Sequence, residues 1–233
     1  MGKVAVLIDG GFYRRRSLTL WGRETAEQAA KSLVEYAMRH VRRSKSDLYR
    51  IFYYDCPPAD FPVFHPLLKK NISLRKEDVF TWQTAFLEEL RNKRKVALRL
   101  GELSERQARY VIRERSLRDF CSGTRASTEL TMDDLELSIP QKGVDMKIAV
   151  DIASMAFKQQ VEQMVLIAGD SDFVPAAKLA RREGIDFILD PMWAHIRPSL
   201  NEHIDGMQSC IEKPTEGKKV PSPSARSHQD DHD

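Results

Sequence analysis

Residues 166–184 read LIAGDSDFVPAAKLARREG. The apolar run from Gln163 to Ala168 breaks at Gly169. Asp170 and Asp172 then flank Ser171, and a helical pattern follows from Phe173 to Arg182. A short, all-apolar strand is the mark of a parallel sheet covered on both faces, because each face must then be hydrophobic. The same pattern opens the chain, where Val4 to Ile8 runs into Asp9, Gly10 and Gly11. Further strands are expected at YRIFYYD, at VALRLGEL and at GIDFILDP. Helices are expected over Ala26–Arg43, Phe64–Ile72, Thr81–Arg94, Glu105–Phe120 and Val144–Phe157. This alternation predicts an α/β fold: a Rossmann-like, mainly parallel sheet with helices on both faces. Sites in such folds form at the carboxyl ends of the strands, near the switch in strand order.

At 233 residues, 42% hydrophobic and 30% charged, the chain is long enough for one substantial core. No apolar stretch is long enough to span a membrane, and the N-terminal run ends in Asp-Gly-Gly rather than a cleavage site. Cys56, Cys121 and Cys210 are odd in number and widely spaced, which suits reduced thiols in a cytoplasmic protein and fits no zinc motif. The segment 213–233 lacks apolar residues and is expected to be disordered beyond a folded region 1–212.

The carboxylates at the strand ends need an explanation. Alone, each has an ordinary one: Asp172 as a helix N-cap, Asp9 as a turn residue. Asp145 changes the balance. On a helical wheel it falls among Ile148, Ala149, Ile152 and Ala156, on the apolar face of Val144–Phe157. A carboxylate there is costly unless it meets a cation. Asp151 lies beside Lys147 and reads as a surface i,i+4 ion pair. Crowded carboxylates raise one another's pKa unless something neutralises them. An all-oxygen set suits a hard divalent cation, Mg²⁺ or Mn²⁺, and the chemistry of carboxylate-held metals is phosphoryl hydrolysis.

The blocks VAVLIDGGFYRR, KGVDMKIAVDIASMA and MVLIAGDSDFVPAAKLARREG, with YYDCPP and LRLGEL between them, resemble the NYN domain, in particular its bacterial LabA-like branch. The resemblance covers about Val4 to Asp205. It implies the PIN-like fold and a metal-dependent endoribonuclease in which Asp9, Asp145, Asp170 and Asp172 are the catalytic, metal-holding residues. Asp151 matches a recurrent acidic position of the family, and Asp151, Ser171 and Asn201 are candidates to support that set. One departure is Phe12, where many members carry Asn; Tyr13 and Asn201 are the candidate replacements. The stretch 104–141 is long for a PIN-like core and is read as an insertion.

The expected partner is RNA, single-stranded RNA included, with no membrane partner and a homo-oligomer left open. The basic clusters are the expected contacts. Arg14, Arg15 and Arg16 follow the first site loop, and Arg106, Arg109 and Arg113 lie in a cation-rich run from Arg91 to Arg118. Alternatives are a non-catalytic RNA-binding or regulatory module on the same fold, which Phe12 favours, and another phosphate-transfer enzyme. A Toprim domain would need an early Glu-Gly block, and a haloacid-dehalogenase-type phosphatase would need Asp-x-Asp on the first strand.

Overall fold

Strand β1 (Lys3–Asp9) is covered on both faces, and Val4 through Ile8 are fully buried. The computed structural model describes residues 2–196, 198–215 and 220–226. After β1 come helices α1 (Gly10–Trp21) and α2 (Ala26–Ser44), then β2 (Asp47–Asp55). A hairpin, β3 (Pro62–His65) and β4 (Lys70–Ser73), precedes α3 (Asp78–Arg91) and β5 (Val96–Leu100). Next are β6 (Glu102–Leu103), β7 (Arg109–Ile112), α4 (Glu114–Cys121), β8 (Leu135–Ser138) and β9 (Gln141–Lys142). The last part holds α5 (Val144–Phe157), β10 (Gln163–Ile167), α6 (Val174–Arg182) and β11 (Asp186–Asp190). It ends with α7 (Pro198–Asn201), β12 (Gly206–Met207) and α8 (Pro223–Arg226).

Six strands form one parallel sheet in the order β12–β11–β10–β1–β2–β5. The period-2 alternation of a strand splits its side chains between two cores. Ala5 and Leu7 of β1, with Met164 and Leu166 of β10, face α5 and α6. Val4, Val6 and Ile8, with Val165 and Ile167, face α1, α2 and α3. The chain lays β1, β2 and β5 outward in one direction, then returns to place β10 on the other flank of β1. The switch in strand order therefore lies between β1 and β10, and it is there that the sheet opens a crevice at its carboxyl edge.

Three expectations are corrected. Phe64–Ile72 is not a helix but the β3–β4 hairpin, in which buried Val63 and His65 alternate with exposed Pro62 and Phe64. Glu105–Phe120 is not one helix. It is a 3-10 turn at Glu105–Gln107, strand β7 and helix α4. Tyr110, Val111 and Ile112 are strand formers, and β7 pairs antiparallel with β8, about 25 residues on, from Arg109↔Ser138 to Ile112↔Leu135. The buried Asp134 carboxylate fastens this ribbon, accepting from Arg125, Ser116 and Thr131. The disorder expected over 213–233 does not hold for 220–226. The Val220 N–H donates to the Leu20 carbonyl at 2.9 Å, and α8 packs on α2. Residues 216–219 and 227–233 lie outside the described residues. No helix among the described residues is long and apolar enough to cross a membrane.

The core on the α2 side holds a polar network. Asp190, at the end of β11, is fully buried. It accepts from Tyr36 Oη, from the Met192 N–H at 2.7 Å and from Ser209 Oγ at 2.7 Å, and it lies 2.8 Å from His40 Nε2. Burial alone would lower the pKa of His40. The hydrogen bonds with Asp190 and Cys210 outweigh it and push the imidazole up to about 9, from an ordinary 6.5. A raised folded-state value means that the charged pair stabilises the fold fully below pH 6.5 and that this contribution is lost as the pH rises through about 9. Thermal melts from pH 6 to 10 should therefore show stability falling across that window. The His40→Gln variant should be less stable at pH 6, with Asp190 left buried and without its cation, and should lose most of that fall.

Candidate active site at the carboxyl edge of the sheet

Each of the four central strands delivers a carboxylate to this edge. Asp9 ends β1, Asp55 ends β2, Asp190 ends β11, and Asp170 follows β10 after Ala168 and Gly169. Local chemistry holds each in place. Asp9 is the N-cap of α1, and its Oδ1 accepts from the Phe12 N–H at 3.1 Å. Asp170 caps the turn Ser171–Phe173, and its Oδ1 accepts from the Asp172 N–H at 3.1 Å. Asp145 stands in the first turn of α5, whose start is set by Gly143 at φ 77°, a left-handed conformation that glycine adopts without strain.

The four strand-end carboxylates divide by what neutralises them. Asp55, 1% exposed, is held by Arg14, with Nε at 2.9 Å from Oδ2 and Nη2 at 3.0 Å from Oδ1; Tyr53 Oη and the Cys56 N–H also donate to it. Asp190 has His40. Asp9 and Asp170 have no ion pair among the described residues, and neither do Asp145 and Asp172. Asp145 links the four, in electrostatic reach of Asp9 on one side and of Asp170 and Asp172 on the other. Burial raises the pKa of Asp9; the Phe12 N–H opposes that, and the charge of Asp145 adds to it. Burial likewise raises Asp145, and Asp170 and Asp172 add to the shift. Among the described residues no three Asp, Glu, His or Cys side chains are closed into a ready cage for a cation. Asp145, Asp170 and Asp172 are exposed and Asp9 is half-buried, so the set is open on the solvent side.

The remaining expected residues fall in different places. Asp151 does not pair with Lys147. Its Oδ2 accepts from Tyr54 Oη and Arg99 Nε, each at 2.9 Å, over the β2–β5 part of the sheet. Six residues along α5, it sits about 9 Å from Asp145 along the helix axis. Ser171 is in the turn beside Asp170, while Asn201 is exposed on α7, which packs against that turn. Arg14 is committed to Asp55, and Arg16 donates through Nε and Nη2 to the Met192 carbonyl at 3.1 and 2.6 Å. Arg15 alone of that trio is exposed without an ion pair, and its charge draws the pKa of Asp9 down. Arg106 and Arg109 are exposed beside and on β7, and Arg113 has a loose exposed pair with Glu136 at 3.9 Å. Phe12 is not a site group: it is 9% exposed, and its ring packs on Gly169, where an added Cβ would meet it at 2.6 Å.

Two groups at this edge escape the sequence reading. Asp55 bears on Asp9, and its cue, a strand ending in Asp like β1, is present in YRIFYYD. Gln141 has no cue: its Oε1 comes within 3.9 Å of the Cβ position of Gly11 only because β9 pairs back on β6.

Among solved structures, the chain is similar to a protein of unknown function from Vibrio parahaemolyticus RIMD 2210633. The identity is 14% and the TM-score 0.45, over 88% of this chain and 91% of that one. No curated protein matches the chain. The model of the NYN domain matches residues 83–200, a span that holds Asp145, Asp170 and Asp172 and runs from α3 into α7. That match takes in half of the 233 residues, and the chain belongs to the NYN domain family, within the PIN-like nuclease superfamily.

Proposed function

We propose that the protein is a metal-dependent endoribonuclease of the LabA-like branch, with its active site at Asp9, Asp145, Asp170 and Asp172. The observation that carries this reading is the selective absence of counter-cations. The same edge neutralises Asp55 with Arg14 and Asp190 with His40, yet among the described residues these four have no ion pair, and Asp145 meets the charges of the other three. Four oxygen donors and no thiol or imidazole among them suit Mg²⁺ or Mn²⁺. When bound, such an ion supplies an activated water and charge neutralisation at the phosphate. The chain's own groups do the positioning. The Phe12 N–H fixes one oxygen of Asp9, and the Asp172 N–H fixes one of Asp170, so each carboxylate is presented without a search through rotamers. Asp145 moves only within the first turn of α5. Asp172 is the group available to orient a water. Arg15, exposed and in electrostatic reach of Asp9, is a cation available to a phosphate, and exposed Arg106 and Arg109 are further candidates.

A second reading, an RNA-binding module without catalysis, is favoured by Phe12, which fills with an apolar ring the position where the family often has an amide. Incubating labelled RNA and DNA with Mg²⁺, Mn²⁺ or chelator separates the two. The proposed enzyme cleaves RNA with metal only. Asp170→Asn and Asp145→Asn should each lose more than the ~10–100-fold that losing a group behind a metal ligand costs. Binding without cleavage by the wild type in all metals would decide for the module.

Melting adds a readout independent of turnover. The pKa of Asp145 is raised in the fold, so its ionisation destabilises the metal-free protein as the pH rises above the ordinary 3.8. At pH 7 the metal-free Asp145→Asn protein should melt no lower than wild type, and the difference should vanish below about pH 4. Mn²⁺ should raise the wild-type melting temperature in proportion to log concentration at saturation and should not raise that of the variant.

The arginines separate by role. Arg14→Ala should destabilise the fold at the lower end of ~3–5 kcal/mol, because it strands the buried Asp55 charge. Arg15→Ala, alone or with Arg106→Ala and Arg109→Ala, should leave stability within about 0.5 kcal/mol. It should also lower the salt slope of single-stranded RNA binding by about 0.7 per lost phosphate contact.

A further inference from the structure

A groove of about 800 Å³ runs outward from the acidic edge, within the ~300–1,000 Å³ range of sites that take small molecules. One bank is the β3–β4 hairpin and the start of α3; the other is the β7–β8 ribbon. Its lining is mainly apolar and aromatic, with Tyr110, His65, Phe80 and Leu137 along it, and with Arg14 and Gln141 at its inner end. Those last two tie it to the site. Arg14 holds Asp55, and Gln141 reaches to within 3.9 Å of the Cβ position of Gly11, which itself lies 3.4 Å from Asp9 Oδ1. The Tyr110 and His65 rings meet across the banks, tilted 50° to each other with centroids 4.3 Å apart.

The hairpin bank is basic, and the ribbon bank is mixed. Exposed Lys69, Lys70, Arg75 and Lys76 belong to the hairpin side and its end, while exposed Arg106 and Arg109 share the ribbon side with exposed Glu105 and Glu136. Glu77 is the acidic group in the lining. An apolar, ring-lined floor beside a basic hairpin, leading away from a phosphate-cleaving edge, matches the chemistry of an unpaired polynucleotide. Its bases stack on aromatic groups while its phosphates meet cations outside. We infer that this groove is a base-binding subsite for single-stranded RNA, holding an unstacked nucleobase beside the scissile phosphate, with Tyr110 as its principal contact. The inference rests on the ribonuclease reading above. It adds that base identity next to the cut is sensed by the ribbon rather than by the sheet.

The test is fluorescence anisotropy of a labelled ten-nucleotide single-stranded RNA with the full chain in chelator, so that nothing is cleaved. Tyr110→Ala should weaken binding by about 10- to 100-fold, the usual effect of removing one aromatic stacking partner, and Tyr110→Phe should bind like wild type. An RNA lacking one base at the critical position should lose the same factor with wild type and nothing more with Tyr110→Ala. Leu68→Glu, on the exposed rim of the opposite bank, should weaken binding without touching the ribbon's packing. Wild-type affinity in both Tyr110→Ala and Leu68→Glu would overturn the subsite. So would equal affinity for the RNA with the missing base, an outcome that leaves the groove to an apolar polypeptide. If either result came with intact metal-dependent RNA cleavage, the groove inference alone would fail. A wild type that neither binds nor cleaves RNA would remove both.

Discussion

Like charges gathered at one sheet edge are the constraint on which this molecule is arranged. A parallel sheet sends all its strand ends the same way, so Asp9, Asp55, Asp170 and Asp190 arrive together. Burial makes Asp9 harder to ionise, and the charge of Asp145 makes it harder still. The fold answers with a cation from a helix for two of the four strand ends, Arg14 from α1 and His40 from α2. These are the flanking strands. The aspartates of the strands on either side of the topological switch have no ion pair among the described residues, and α5 adds Asp145 beside them. A fold selected for stability alone would have no reason to treat the central pair differently. Electrostatic strain of this kind persists where a bound ion or substrate relieves it.

Close packing keeps the strained edge in shape. Gly10 passes so near β2 that an added Cβ would meet the Tyr53 ring at 2.6 Å and Asp55 Oδ2 at 2.7 Å. Gly169 lies against Phe12 in the same way. The loops after β1 and β10 are thus pressed against rigid aromatic groups. Asp9 and Asp170 inherit their positions from that contact as well as from their own backbone hydrogen bonds. Phe12 has a definite task here, which gives a physical reason for an apolar side chain at a position where an amide is common: it fixes the spacing between the two strand-end loops.

Much of this was legible in the sequence, for reasons that can be named. The all-apolar strands and the helices between them follow from periodicity, and α5 begins and ends where its pattern says. The four uncompensated aspartates were marked by position: a strand end, a helix start on an apolar face. What escaped depended on partners remote in the chain. β7 is a strand because β8 is there to pair with it, and the local run of arginines concealed that. Asp151 answers to Arg99 and Tyr54 across the sheet rather than to Lys147 one turn away. Arg14 reads as one of three equivalent cations until the fold brings it to Asp55, 41 residues on. A charge run reports how many cations are present. It cannot report which of them are already engaged.

The same distinction bears on the peripheral ribbon. The stretch 104–141 shares little with the main sheet, since β7 pairs with β8, and β6 with β9, as separate two-stranded units. Its order comes instead from the Asp134 carboxylate, which gathers Arg125, Ser116 and Thr131 and so spares the segment a large apolar core of its own. An element held by one buried polar hub keeps its outer surface unconstrained, and that surface here mixes arginines with acids. The sheet edge can then hold the chemistry fixed while the ribbon varies what is presented to it. With the site and groove as proposed, the carboxylates at the edge need few neighbours to change when substrate preference changes, because the groove is carried in part by a unit whose folding does not run through them.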